Sequence, residues 1–104
     1  MQTRVQIIVQ YFETCPHAGL ARERLAAALE TAGLDQRVVR FVTVGSPEDA
    51  EQLGFRGSPT FLIDGLDPFA DASAPAGFAC RIYETEAGPE GAPSVAQLAA
   101  ALGS

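Results

Sequence analysis

The chain reads as an α/β domain, and three observations predict that class. An apolar run near the start, Val5 to Phe12, is rich in β-branched and aromatic residues and has the length of a buried strand. From Pro16 the hydrophobic period lengthens to that of a helix. Leu20, Ala21, Leu25, Ala28, Leu29 and Ala32 fall on one side, with Arg22, Glu23 and Glu30 on the other. A second β-rich run, Arg37 to Val44, follows closely. Strand, helix and strand in that order make a βαβ unit, which implies a parallel pair joined by a right-handed crossover.

The remaining elements follow from local signals. Proline is favoured in the first turn of a helix, so Pro16 marks the start of the first one. Gly33 suits the left-handed position that ends it. Ser46 caps a short second helix with Pro47 at its first position, and Gly54 closes it. Glu48, Asp49 and Glu51 suit the helix dipole and read as solvated charges rather than a metal site. Thr60 to Ile63 is a short third strand opened by Pro59 and closed by an Asp64-Gly65 turn; a tight approach at such a proline is one place where a cis bond occurs.

Leu66 to Ala79 has no clear period, and reads equally as a functional loop or as a mobile surface loop. Phe78, Cys80 and Ile82 alternate with Ala79, Arg81 and Tyr83, which predicts a fourth strand antiparallel to the third. Glu84 to Pro93 is turn-rich. Ser94-Val95-Ala96-Gln97 is a capping box for a last amphipathic helix carrying Val95, Leu98, Ala99 and Leu102. The expected order is β-α-β-α-β-β-α.

Length and composition bound the function classes. With 104 residues the chain is expected to be a single domain, 1–104. The net charge is −6 and all seven basic residues are scattered arginines, which argues against a nucleic-acid partner. No apolar run reaches the length of a membrane span, and Met1 to Arg4 leads straight into a strand rather than a signal peptide. The expectation is a cytoplasmic protein with no membrane partner. Two cysteines in that compartment point to catalysis or core packing before a structural disulfide. No cofactor and no metal site is expected.

The single cysteine at the first strand–helix junction, Cys15, is the strongest chemical signal. The first turn of a helix presents unpaired N–H groups and the positive end of the macrodipole, which favour a thiolate over a thiol. His17 adds a donor, or a positive charge when protonated. The competing reading is a buried inert cysteine, and for His17 an exposed residue with no role.

Two segments resemble the thioredoxin superfamily. Thr14-Cys15-Pro16-His17 is similar to the start of a Cys-Pro-His-Cys motif, and Leu53 to Thr60 is similar to the segment that runs through that family's cis-proline. The resemblance implies a thioredoxin-like fold with a four-stranded mixed sheet and helices on both faces. The stretches Gly57 to Thr60, Asp64 to Phe69 and Cys80 to Tyr83 further resemble a group of small bacterial thioredoxin-like proteins. That group includes selenocysteine-containing and alkylmercury-lyase-like members. By that resemblance Cys15 is a catalytic nucleophile, and His17 lowers its pKa or donates to a leaving group. Thr14, Pro16, Ser58 and Pro59 form the substrate wall, with Ser58 offering backbone groups and Tyr11 contributing more weakly.

The departure is at position 18, where Ala18 stands in place of the second motif cysteine. That leaves monothiol chemistry on disulfides or peroxides, through a mixed disulfide or sulfenic acid, with a low-molecular-weight thiol or a protein disulfide as partner. Arg56 is a candidate for the carboxylates of such a thiol. Cys80 is either a resolving partner or a core cysteine on the fourth strand; the strand geometry of the resembling fold favours the core. Two other readings stay open: a soft-metal or organomercurial binder using Cys15, His17 and Cys80, and a non-catalytic scaffold.

Overall fold

The computed structural model describes residues 5–35, 38–69 and 80–103. Strand β1 (Ile7–Tyr11) lies at the centre of a three-stranded mixed sheet, parallel to β2 (Val39–Thr43) on one side and antiparallel to β3 (Thr60–Ile63) on the other. The ladders run past the strand ends. Val44 N–H donates to the Tyr11 carbonyl at 2.7 Å, and Asp64 N–H to the Gln6 carbonyl at 2.8 Å. The parallel β1–β2 pair is the one the βαβ pattern predicts.

Local signals set the helix ends. Helix α1 (Ala18–Ala32) stops at Gly33, whose φ of 73° lies in the left-handed region, with Leu34 N–H reaching back to the Leu29 carbonyl at 2.9 Å. Helix α2 (Pro47–Leu53) has Ser46 as its cap, the hydroxyl accepting from Asp49 N–H at 3.1 Å. Asp64 and Gly65, both at positive φ, make the two-residue turn after β3, with Ile63 and Leu66 exchanging backbone hydrogen bonds. Before α3 (Val95–Gly103), Ser94 and Gln97 cap each other reciprocally at 2.9 and 3.1 Å.

Helices α1 and α3 pack on each other and on β1 and β3, enclosing Ile7, Val9, Leu25, Leu29, Phe61, Tyr83 and Leu98. Phe12, out of step with Ile7 and Val9, joins a second cluster of Val44, Ala50 and Phe55 around α2. Among the described residues no helix is long and apolar enough to cross a membrane.

Two expectations are corrected. Helix α1 begins at Ala18, not Pro16: Pro16 lies in a turn and His17 is the cap residue, with φ −102° and ψ 0° and no side-chain capping bond. The turn forms because Cys15 N–H closes onto the Phe12 carbonyl at 3.0 Å and Ala18 N–H onto that of Cys15 at 3.4 Å, so α-helical bonding starts only with Ala21 N–H to His17.

The second correction concerns the sheet. The described strands divide into a three-stranded and a two-stranded sheet rather than one of four. The described part of the expected fourth strand, Cys80 to Tyr83, does not pair with β3. The start of that strand, Phe78 and Ala79, lies outside the described residues, as does most of the 66–79 loop. Cys80 makes only an isolated parallel bridge to Ser58. The chain instead forms a hairpin of β4 (Tyr83–Thr85) and β5 (Gly88–Glu90), which starts at the last residue of the expected strand and runs through the stretch expected to be turns.

The faces are reversed as well. Ile82 is 61% exposed while Tyr83 is 4% exposed. The cause is polar satisfaction. The Tyr83 hydroxyl donates to the Pro59 carbonyl, and the Arg81 guanidinium is held by Asp67 at 2.7 Å and by the Phe69 carbonyl at 2.6 Å. Residues read as outward-facing thus find partners inside, and the apolar Ile82 is turned out.

Candidate functional site

The site is built where β1 ends and β3 begins. Phe12 N–H donates to the Ser58 hydroxyl at 3.3 Å, and the Ser58–Pro59 peptide is cis. Ser58 is fully buried and the Pro59 ring is too. The turn from Phe12 then brings Cys15 back beside this loop, 8% exposed, with Thr14 and Pro16 exposed on either side of it. On the far side of Ser58 runs the Cys80 segment: Cys80 bridges Ser58 in parallel, and Arg81 N–H donates to the Ser58 carbonyl at 3.0 Å. Ser58 is therefore the node that joins both cysteine-bearing segments. Its carbonyl is engaged within the chain, unlike the free backbone group expected for an extended substrate.

Cys80 departs from its expected place. It is exposed rather than a core residue, and it lies at the site rather than away from it. Both cysteines are free thiols, and their side chains face each other. The Cys80 thiol is held above its ordinary range, first by loss of solvent around the sulfur, then by the charge of Cys15 and a hydrogen bond with it. The separation expected from strand geometry fails because the 80–82 segment lines up with Ser58 instead of pairing along β3.

Two further groups shape the surroundings. His17 does not hydrogen-bond to Cys15 among the described residues. Its ring instead lies against Gly91, so closely that a Cβ at Gly91 would come within 2.3 Å of the imidazole. Sequence reasoning missed Gly91, whose only signal was its place in a turn-rich stretch. It also missed the clamp formed by Arg81, Asp67 and Tyr83. Asp67 and Arg81 form a bidentate pair whose side chains are each 11% exposed, the guanidinium stacks over the Tyr83 ring at 4.6 Å, and Tyr83 reaches Pro59. This clamp fixes the segment that carries Cys80 against the proline loop.

Among the described residues no three His, Cys, Asp or Glu side chains converge so as to hold a metal ion. Tyr11 turns toward β2, packing edge-on against Phe41 with ring centroids 6.4 Å apart. No protein-family model matches the chain, and neither a curated protein nor a solved structure matches it.

Proposed function

We propose that the chain is a thioredoxin-like thiol oxidoreductase in which the Cys15 thiolate attacks disulfides or peroxides. The observation that carries this reading is the pair of facing free thiols, Cys15 and Cys80, set against the cis Ser58–Pro59 loop at the end of the central strand. On a disulfide the thiolate forms a mixed disulfide and expels a thiolate; on a peroxide it takes the terminal oxygen and becomes a sulfenic acid. Ala18 leaves no second thiol on the first helical turn to intervene. The reductant is a low-molecular-weight thiol or a protein dithiol, as a reducing cytoplasm supplies.

The test is the rate at which Cys15 reacts with an aromatic disulfide at neutral pH in the Cys80→Ser protein. A rate about tenfold above free cysteine supports an activated thiolate. A Cys15 that stays unmodified in the folded protein would sink the oxidoreductase reading and leave the scaffold.

The same two thiols favour a second reading, capture of a soft two-coordinate cation or an organomercurial. Metal retained through purification, and lost in either cysteine variant, is the result that would favour it.

A further inference from the structure

The preceding reading leaves open what becomes of Cys15 once it is oxidised. We propose that Cys80 is its resolving partner, so that the chain cycles between a dithiol and a Cys15–Cys80 disulfide spanning the Ser58 loop. This deepens the oxidoreductase reading and rests on it. The geometry is threefold. Cys15 is tied by its N–H to Phe12, and Phe12 by its N–H to the Ser58 hydroxyl. Ser58 is bridged on its other side by Cys80 and bonded to Arg81. Ser58 thus anchors both cysteine-bearing segments, and the two side chains face each other. A disulfide with an S–S length of about 2.05 Å would join two side chains that already interact and whose segments are both anchored on Ser58.

The difference in exposure assigns the roles. Cys15 is largely buried, at 8% exposed, whereas Cys80 is open to an external reductant. With a hydroperoxide as oxidant, the O–O bond breaks, the alcohol leaves with a proton from solvent, and Cys15 becomes a sulfenic acid. The Cys80 sulfur then attacks the Cys15 sulfur; the S–O bond breaks, and the hydroxide leaves as water with the Cys80 proton. Two thiols have lost two electrons and the peroxide has gained them. An external dithiol restores the pair by two exchange steps, entering at exposed Cys80.

Wild type, Cys15→Ser and Cys80→Ser are exposed to one equivalent of hydrogen peroxide with dimedone present, then examined by intact mass and peptide mapping. The expected result for wild type is the loss of two hydrogens, a Cys15–Cys80 linked peptide, and no dimedone adduct. Cys80→Ser is expected to accumulate the Cys15 adduct instead. A sulfenic acid on Cys15 that persists equally in wild type and Cys80→Ser overturns the resolving role while leaving the reactive thiol intact. A Cys15 that oxidises in neither protein overturns both. Urea unfolding of the reduced proteins checks that each variant is folded, and Cys80→Ala provides a second variant free of the serine hydroxyl.

Discussion

At the residue scale, Gly91 and Tyr83 show how single atoms hold the site. Gly91 is buried and its φ is not left-handed, so space alone requires glycine there. Gly91→Ala would drive a methyl group into the imidazole of His17, and overpacking of this kind costs about 1–3 kcal/mol. The expected result is a lower urea midpoint that His17→Ala restores in the double variant; an additive loss would contradict the contact.

Tyr83 gives the Pro59 carbonyl its donor, and Tyr83→Phe leaves that buried acceptor unpaired at about 1–3 kcal/mol. Burial holds the Tyr83 phenol well above its ordinary range, the opposing charges of Arg81 and Asp67 following as smaller influences. The unfolded chain therefore releases this proton first as pH rises. Stability is full below about pH 10 and falls above it, up to the folded value. Tyr83→Phe is expected to lack that alkaline loss, which urea unfolding at graded pH would reveal.

At the element scale, the Asp67–Arg81 pair joins the turn after β3 to the segment that leads into β4. Both charges are largely removed from water, so deleting one leaves the other unpaired. Asp67→Ala is expected to cost about 3–5 kcal/mol, and Asp67→Leu combined with Arg81→Met markedly less, because the double change removes both buried charges. The single variant is also expected to slow formation of the Cys15–Cys80 disulfide, since the clamp orients Cys80.

How far the sequence could be read divides along the same line. Signals that act within a few residues were legible: the Ser46 cap, the Gly33 stop, the Asp64-Gly65 turn and the Ser94–Gln97 box all form as patterned. What was not legible depended on distant partners. The inward turn of Arg81 and Tyr83 needs Asp67 and Pro59, and alternation alone gave the opposite faces. Gly91 acquires its meaning from His17, far away in the chain. The late start of α1 reflects competition between two backbone turns at Cys15 that residue preference does not separate.

At the scale of the whole molecule, the two cysteines lie far apart in the sequence, and a bond between them would close a loop of about 65 residues. In the chain-entropy account such a loop is worth about 4 kcal/mol. The oxidised form is therefore expected to melt higher than the reduced form by more than about 10 °C, given the usual shift per kcal/mol for a domain of this size. Equal melting temperatures would mean that the bond strains the native state as much as it restricts the unfolded one. Arg24 also acts at this scale. Its guanidinium reaches from α1 to Glu90 at 2.8 Å and to the Ala92 carbonyl at 3.1 Å, fastening the β4–β5 hairpin to the helical layer. The cysteine pair is thus carried by two bodies of structure, the central sheet and the Arg81 segment, that the native fold already holds together.

The most direct measurement is a redox titration of the wild-type chain in dithiothreitol buffers, with the fraction of Cys15–Cys80 disulfide read by mass spectrometry at two protein concentrations. The account predicts a single two-electron transition that does not move with protein concentration and is absent in Cys80→Ser. A transition that shifts with protein concentration, marking disulfides between molecules, or no internal disulfide at any potential, would contradict it.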